Sequence, residues 1–463
     1  MQNRQLAAPV ALVVVVLSAA TVTRLHGQHR AEVRWTDQYE EPARRILTEA
    51  RSSRFAWERL AELTDTFGHR LSGSESLEAA IRWVAEQMRQ DGLENLRLDP
   101  VTVPRWVRGT ESAQIVSPGS HRLAMLGLGN SVGTPPEGIE AELLVVRTFQ
   151  ELEAAAEHVN GRIVLFNAPF TNYSDTVQYR SDGPSRAAAH GAVAALVRSV
   201  GPPGLRTPHT GAVTYAEGTK QIPAAAVATE DADRLQRMQD RGARVRIRLS
   251  MGARFLPDAE SFNVIGEIRG RERPHEIVVV GGHLDSWDVG TGASDDAAGC
   301  IVTWEAIRLL KKVGLRPRRT LRVVLFTNEE NGLRGALAYR DRYRDQLANH
   351  VLMLEADHGV LTPSGFGFSG TDHAREVIQE IARLLQPTGI DRIGGYGGGA
   401  DIGPSVQAGD IPSMSLESAG DYFRIHHTPA DTVDKIDPDD MSRASAAIAI
   451  MAYVVADMEE RLR

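Results

Sequence analysis

The sequence predicts an α/β protein in which a mixed, mainly parallel sheet is sandwiched by helices, with a second, α+β domain inserted into it. Three apolar runs, at residues 276–282, 320–327 and 350–357, are each followed by a polar turn and a helical pattern. Runs that are apolar on both faces and alternate with helices are typical of a parallel sheet covered on both sides. The 463 residues also exceed what one hydrophobic core usually supports, which indicates at least two domains.

Residues 1–28 are predicted to be a signal peptide or an N-terminal anchor. Arg4 supplies positive charge, residues 7–20 form an apolar core, and small residues at 18–20 suit a cleavage enzyme. The apolar run is shorter than the roughly 20 residues that span a bilayer. We therefore expect a secreted, periplasmic or otherwise extracytoplasmic protein, which meets a membrane only if this segment stays uncleaved.

Composition excludes several classes of protein. Apolar residues make up 42% of the chain and charged residues 24%, as in ordinary folded proteins, and we find no internal repeat. A formal charge of -8 without a long Lys/Arg block argues against nucleic acid as a partner. The single cysteine, Cys300, rules out an intrachain disulfide and is expected to be a small buried apolar residue.

The chain before residue 259 divides into two parts. Residues 40–110 are predicted to be the first segment of the main domain, with helical spacing at 54–65 and 76–90 and a cap at Ser74 or Ser76. Residues 111–258 change to short apolar runs separated by Gly and Pro, which indicates a compact α+β unit. This insert carries no cluster of His and carboxylates, so a structural or substrate-shaping role is expected. The second segment of the main domain then covers 259–463.

Polar side chains gather just after the apolar runs, where open α/β sheets bind ligands. They are His283 and Asp285 after the first run, Glu329 and Glu330 after the second, Asp357 after the third, Asp295 and Asp296 before the next helix, and "HHTPADTVD" at 426–434. Taken singly, each has an ordinary interpretation as a helix cap, a solvated first turn or a polar loop. Because a parallel sheet would bring all of them to one rim, together they predict a metal site.

The residue types favour two zinc ions. Two imidazoles and three carboxylates suit zinc, and the absence of thiolate ligands argues against a structural cysteine site. If one carboxylate bridges the ions, each keeps an open position for a shared water, which the pair converts to hydroxide near neutral pH. A spare carboxylate must then shuttle the proton. Either Glu329 or Glu330 can do so, and spacing does not decide which.

These motifs resemble those of the clan MH di-zinc exopeptidases, the aminopeptidase and glutamate carboxypeptidase family, and most of all its carboxypeptidase Q subfamily. The matching stretches are "GGHLDSWDVGTGASDDAAG", "TNEENGLRGA", "EAD", "GGGADIGP" and "HHTPADT", in the same order. The resemblance implies a zinc-exopeptidase fold for the main domain. Residues 161–229 separately resemble a protease-associated domain, which would be the insert.

The resemblance also implies roles for individual residues. Asp295 would bridge two zinc ions, with His283 and Asp357 completing one site and Glu330 and His427 the other. Glu329 would be the general base, and the carboxylate of Asp285 would orient the imidazole of His283. His427 is preferred to His426 as the ligand because the family's ligand directly precedes Thr or Ser; His426 would instead hold the substrate oxyanion. In the glycine-rich stretch 394–405, a predicted pocket wall, Asp401 would meet a substrate amine or brace the loop.

The resulting expectation is an exported di-zinc metallo-exopeptidase that hydrolyses dipeptides or short peptides beside a free terminus, through zinc-bound hydroxide and Glu329. A broad-specificity aminopeptidase is the alternative within the same class. Outside that class stand a glutaminyl cyclase, which uses one zinc, and a receptor-like ectodomain, which would have lost ligands; the complete ligand set argues against both. Family members are often dimers, so the resemblance also implies a homodimer.

Overall fold

The computed structural model describes residues 34–52 and 54–462 of the chain, and their strands form two sheets. The predicted signal or anchor at residues 1–28 lies outside the described residues. In chain order the strands are β1 (Glu94–Val107), β2 (Glu111–Ser117), β3 (His121–Leu123), β4 (Met125–Gly127), β5 (Ile139–Val146), β6 (Ile163–Phe166), β7 (Ala194–Arg198), β8 (Ala224–Val227), β9 (Arg246–Met251), β10 (Arg254–Ile268), β11 (Arg273–His283), β12 (Arg319–Phe326), β13 (His350–Glu355), β14 (Pro363–Ser369), β15 (Arg392–Gly394) and β16 (Ser413–Ser418).

Helices connect most of these strands, as the apolar patterns predict. They are α1 (Glu40–Arg51), α2 (Phe55–Phe67), α3 (Glu75–Gln90), α4 (Phe149–Ala154), α5 (Tyr173–Thr176), α6 (Gln178–Ser181), α7 (Gly183–Ala189), α8 (Thr229–Asp240), α9 (Ala298–Lys312), α10 (Arg334–Arg342), α11 (Asp372–Ala382), α12 (Gly403–Gly409), α13 (Tyr422–Ile425) and α14 (Pro438–Asp457). Of the two proposed caps for α3, the structure selects Ser74, whose hydroxyl accepts a hydrogen bond from the Leu77 amide at 3.1 Å.

The first sheet has the strand order β1-β10-β12-β11-β13-β16-β14-β15. Its centre, β12-β11-β13-β16, is parallel, while β1, β10 and β14 join antiparallel. Because side chains alternate along a strand, Val278 and Val280 pack on the side of α9 and α14, whereas Val279 packs on the side of α10 and α12. Helices therefore cover both faces, and the predicted mixed, mainly parallel α/β fold is confirmed.

The second sheet, β3-β2-β9-β5-β6-β7-β8-β4, takes all of its strands from residues 111–251. We call residues 111–251 the insert segment. It has its own apolar core on each side of the sheet, built on strands β5 to β8. β10 begins at Arg254, inside the predicted 111–258 range, and pairs with β1 along its length. The exact domain boundaries and the protease-associated character of the insert stay predictions.

No helix within the described part of the chain is both long enough and apolar enough to cross a membrane.

Candidate active site

The parallel centre of the first sheet places the predicted site residues at one rim. His283 is the last residue of β11, and Glu329 and Glu330 lie in the turn just after β12. Asp357 follows β13 by two residues, and His427 lies in the segment between β16 and α14. Since parallel strands end at the same edge of a sheet, residues far apart in the chain converge there.

Asp295 lies between two histidines and divides the site into two halves. Its Oδ1 is 3.4 Å from His283 Nε2, and its Oδ2 is 3.1 Å from His427 Nε2. His283 Nε2 is also 3.2 Å from Asp357 Oδ1, and His427 Nε2 is 3.1 Å from Glu330 Oε2. We call His283, Asp295 and Asp357 the first half-site, and Asp295, Glu330 and His427 the second half-site.

This donor set fits a pair of zinc ions. Each half-site offers one imidazole nitrogen and two carboxylates, with Asp295 shared, which are ligands that zinc accepts. Asp295 Oδ2 is buried and faces His427 Nε2 at short range, yet it forms no hydrogen bond of acceptable geometry with any described residue. A buried carboxylate oxygen without a donor is costly unless a cation satisfies it. The residues present therefore fit the two ions that the resemblance implies.

Asp296 and His426 also lie close enough to take part in metal binding, Asp296 beside the first half-site and His426 beside the second. The carboxylate of Asp296 is already engaged, however, because it accepts hydrogen bonds from the amides of His283 at 3.0 Å and Gly299 at 3.2 Å. It thus caps the start of α9, the ordinary interpretation of this acidic pair. His426 Nε2 lies 3.6 Å from Asp295 Oδ2, farther than His427 Nε2, and the two imidazoles stack with centroids 3.5 Å apart.

The contacts of His283 and Asp285 differ in detail from what the resemblance implies. His283 Nδ1 faces the main-chain oxygen of Asp285 at 2.9 Å, whereas the Asp285 carboxylate lies 3.8 Å away. That carboxylate instead accepts hydrogen bonds from the amides of Glu329 at 3.0 Å and Glu330 at 3.3 Å, and from the Ser72 hydroxyl at 3.0 Å. Asp285 therefore orients the imidazole through its main chain and the two glutamates through its side chain.

Two buried residues that sequence reasoning missed hold the loop between β11 and α9. Asp431 accepts hydrogen bonds from the amides of Ser294 at 2.7 Å and Asp295 at 3.1 Å. Arg70, fully buried, donates to the carbonyls of Leu284, Gly68, Thr291 and Gly292 at 2.7–2.9 Å. Asp431 belongs to the acidic and His-rich stretch singled out above, so a signal existed. For Arg70 the only signal is its place in the turn between two helices, α2 and α3.

The two adjacent glutamates occupy different environments. The Glu330 side chain is 3% exposed, and its Oε1 accepts a hydrogen bond from the Trp287 amide at 3.2 Å. The Glu329 side chain is 19% exposed and lines the pocket, with Oε2 4.0 Å from His283 Nε2. Burial, followed by the negative charge of Asp295, raises the pKa of Glu330 to about 7. Burial also raises the pKa of Glu329 well above its usual value, and Asp357 adds to this effect.

The imidazoles respond to the surrounding carboxylates. Burial opposes their protonated forms, but the charges of Asp357 and Asp295 raise the pKa of His283 well above its usual value. Glu330 and Asp295 do the same for the pKa of His427. A metal ion would compete with protons for these imidazole nitrogens.

A pocket of about 320 Å³ opens over the two half-sites. One wall is the glycine-rich loop at 398–400, where a Cβ on Gly399 would lie 2.1 Å from Glu355 Cδ, so only glycine permits this approach. The lining also includes Tyr173 and Arg180 of the insert segment. This volume is near the low end of the range of about 300–1,000 Å³ typical of small-molecule sites.

Arg180 brings a buried positive charge to this pocket. Its Nη1 donates to the Thr210 carbonyl at 3.2 Å and its Nη2 to the Tyr173 hydroxyl at 2.8 Å. Its Nε is buried without a hydrogen-bond partner among the described residues. Both of its acceptors are neutral, so the guanidinium has no described carboxylate to balance its charge.

The two residues predicted to meet substrate lie in different positions. His426 lines the pocket, and its Nδ1 has no hydrogen-bond partner in the part of the chain described. Asp401, within the glycine-rich stretch, is fully buried, and burial and the charge of Glu355 raise its pKa well above the usual value. Neither oxygen of its carboxylate forms a hydrogen bond within the described part of the chain, so both alternatives for Asp401, contact with a substrate amine and bracing of the loop, stay predictions.

Known proteins resemble this chain in sequence along most of its length. Residues 263–452 match the model of peptidase family M28. Human carboxypeptidase Q is 47% identical over 407 residues, which cover 88% of this chain and 86% of the human protein. Mouse carboxypeptidase Q is 46% identical over 428 residues, covering 92% and 91% of the two chains.

Solved structures share the fold. The peptidase M28 precursor from Shewanella amazonensis superposes with a TM-score of 0.88 at 35% identity, covering 92% of this chain and 98% of that one. A zinc aminopeptidase from Bacillus subtilis superposes with a TM-score of 0.67 at 21% identity, covering 88% and 96%. At that identity the second likeness concerns the fold alone.

Proposed function

Because the chain belongs to peptidase family M28, we propose that it is a zinc-dependent exopeptidase that hydrolyses the peptide bond beside a free terminus of dipeptides or short peptides. The observation that carries this proposal is the meeting, in one small pocket, of two half-sites that share Asp295 and a partly exposed carboxylate, Glu329. The names of the relatives support a carboxypeptidase, and the fold neighbours support zinc.

Two zinc ions would be held by the two half-sites, with Asp295 as the shared ligand. When bound, they would supply the positive charge that lowers the pKa of a water molecule and polarises the peptide carbonyl. Two zinc ions carry more positive charge than the three ligand carboxylates carry negative charge. A further negative group is therefore favoured in the pocket.

Glu329 is the proposed general base and acid. Its carboxylate reaches the pocket while its amide is held by Asp285, so the side chain points toward the half-sites from a fixed main chain. It would accept a proton from the attacking water and pass it to the leaving amine. Burial raises the pKa of this carboxyl above its usual value, and a raised pKa helps a carboxyl to act as a general acid as well as a base.

Arg180 favours a substrate with a free C-terminal carboxylate. A buried guanidinium without an acidic partner is unfavourable, and a substrate carboxylate in the pocket that Arg180 lines would balance its charge. This argument supports a carboxypeptidase or dipeptidase over the broad-specificity aminopeptidase, which remains the second candidate. His426, with its unpaired Nδ1 on the pocket wall, is proposed to help hold the substrate oxyanion.

A panel of dipeptides and tripeptides with free or blocked termini tests this function directly. Purified protein is assayed with added zinc and with a chelator. We expect hydrolysis that requires zinc, is fastest on dipeptides, and falls when the C-terminal carboxylate is amidated. Zinc-independent hydrolysis would contradict the metal mechanism. Unchanged rates on amidated substrates that require a free amine would instead establish the aminopeptidase.

We further propose that the protein works outside the cytoplasm, on the strength of the charged and apolar pattern of residues 1–28. N-terminal sequencing of the mature protein from the native host would locate the cleavage site or show that the segment is retained.

A further inference from the structure

We propose that the insert segment positions the metal ligand His427 through the main chain of Thr210, and thereby sets how tightly the second half-site holds its zinc ion. The inference rests on the proposed function, in which His427 is a ligand. It assigns to the insert segment a direct part in the metal site, although that segment carries none of the proposed ligands.

Thr210 and His427 contact each other twice. The Thr210 amide donates a hydrogen bond to the His427 carbonyl at 3.0 Å, and His427 Nδ1 lies 3.3 Å from the Thr210 carbonyl oxygen. With its proton on Nδ1, the ring donates to that carbonyl and directs the lone pair of Nε2 toward Asp295 and Glu330. This is the tautomer that a metal ligand requires, and a carbonyl is a common partner for the other nitrogen.

Arg180 does not replace Thr210 in this role. Its Nη1 lies 3.4 Å from His427 Nδ1, but a guanidinium only donates and cannot accept the Nδ1 proton. Nη1 instead donates to the same Thr210 carbonyl, at 3.2 Å. Among the hydrogen bonds of the described residues, the Thr210 carbonyl is therefore the only acceptor for Nδ1 of His427.

The position of Thr210 is fixed by buried contacts inside and beside the insert segment. Its hydroxyl donates to the Gly127 carbonyl at 2.8 Å and accepts from Arg108 Nη2 at 3.3 Å. Arg108 in turn forms a two-pronged ion pair with Asp288, at 2.8 and 2.5 Å. Asp288 belongs to the loop after β11, so the network joins the insert segment to the loop that carries Asp295.

Gly211 controls the direction of the Thr210 carbonyl, because the two share one peptide plane. Gly211 has φ +130°, which side-chain-bearing residues rarely adopt, and a Cβ there would lie 2.2 Å from Arg180 Nη1. Replacing it with alanine would turn this peptide and move the carbonyl away from His427 Nδ1.

The decisive measurement is the zinc affinity of a Gly211→Ala variant of the full chain, by competition titration of zinc chloride against a chelating indicator. We expect two zinc ions in the wild type. In the variant we expect one to bind as before and the other roughly 10- to 100-fold more weakly, the usual loss when the partner of a ligand imidazole is disturbed. Gly204→Ala is the matched control, because Gly204 has φ +144° in the same segment and a Cβ there would have no atom within 4 Å.

If Gly211→Ala does not fold, the variants Thr210→Val and Thr210→Ser test whether Thr210 positions His427. Valine removes the anchoring hydroxyl at nearly constant volume, and we expect a smaller weakening of the same ion; serine keeps the hydroxyl and should bind like the wild type. Folded variants that all bind both ions as tightly as the wild type would overturn the inference and leave the proposed function intact. A wild type that binds no zinc would overturn the proposed function, and this inference with it.

Discussion

Glu329 and Glu330 are neighbours in the chain, yet their surroundings separate their chemistry. Glu330 turns into the protein beside His427, whereas Glu329 faces the pocket. The proposed base and the proposed metal ligand are therefore identical side chains that differ in burial. Asp285 accepts hydrogen bonds from both main-chain amides and so holds the turn from which the two side chains diverge.

We expect Glu329→Gln to bind two zinc ions like the wild type and to lose roughly 10²- to 10⁴-fold in kcat, because glutamine keeps the shape but cannot take a proton. Metal analysis and kinetics on a cleaved dipeptide measure the two effects. Glu137→Gln, at an exposed carboxylate of the insert segment, serves as the control. Comparable activity of the Glu329 and Glu137 variants would refute the assignment of the base.

Replacing Arg180 with methionine should reduce kcat/KM for substrates with a free C-terminal carboxylate by roughly 10- to 100-fold, since a hydrogen bond to a charged group contributes about 1.5–3 kcal/mol. The same peptides with a C-terminal amide should be affected much less. The ratio of the two rates is the measurement, because general damage to the site would lower both. Arg180→Lys, which keeps the charge but not the planar fork, should fall between methionine and the wild type.

At the scale of elements, the loop between β11 and α9 is the part of the fold that the site depends on. It carries Asp285 and Asp295 but has little regular hydrogen bonding of its own. Arg70, from the turn between α2 and α3, supplies donors to the carbonyls of Leu284, Thr291 and Gly292, and Asp431 supplies acceptors for its last amides. An irregular segment is thus held by hydrogen bonds to two buried side chains from distant parts of the chain.

Arg70→Met should lower the free energy of unfolding by about 3 kcal/mol or more, because several buried carbonyls lose their donor and each unsatisfied group costs about 1–3 kcal/mol. Arg70→Lys, which restores some of these bonds, should lose less. Urea denaturation of the zinc-free proteins provides the comparison. A methionine variant that unfolds at the wild-type midpoint would show that the loop does not depend on this side chain.

The elements themselves follow from local pattern. The apolar runs at 276–282, 320–327 and 350–357 correspond to β11, β12 and β13. A strand that is apolar on both faces and alternates with helices is buried in a parallel sheet that helices cover on both sides. The cap at Ser74 and the burial of Cys300 also follow from local sequence. Local sequence does not predict where β10 begins. The first residues of β10 are mostly exposed, and the strand is defined there by its pairing with β1.

At the scale of the whole molecule, pairs of charges between strands make stability depend on pH. Burial alone would raise the pKa of Glu267, but Arg322, 2.7 Å away, and the hydrogen bond from Asn95 at 2.7 Å lower it below its usual value. A carboxyl whose pKa is lowered on folding stabilises the protein above its unfolded pKa. That contribution is lost as the pH falls from about 5 through the lowered pKa.

Glu267→Gln should therefore destabilise the protein by about 3 kcal/mol at pH 7, as expected when a buried ion pair loses one partner, and by much less at pH 3. Denaturation of both proteins at several pH values measures the difference. Glu140→Gln is the control, because Glu140 pairs with Arg248 at the surface, where such pairs add little. Equal losses at pH 7 and pH 3 would contradict the role of charge.

The sequence alone established the α/β class, the polar residues at the ends of the strands and a donor set suited to zinc, because these depend on local periodicity and on residue type. Only the tertiary structure decided which atoms meet. Thr210 and His427 are 217 residues apart, and Arg70 and Leu284 are 214 apart. No local pattern marks such pairs, because hydrogen bonds between distant loops are selected by how sheets and helices pack. Only the packed structure shows that the Asp285 carboxylate accepts from the amides of the glutamate turn, and that the Thr210 carbonyl faces the imidazole of His427.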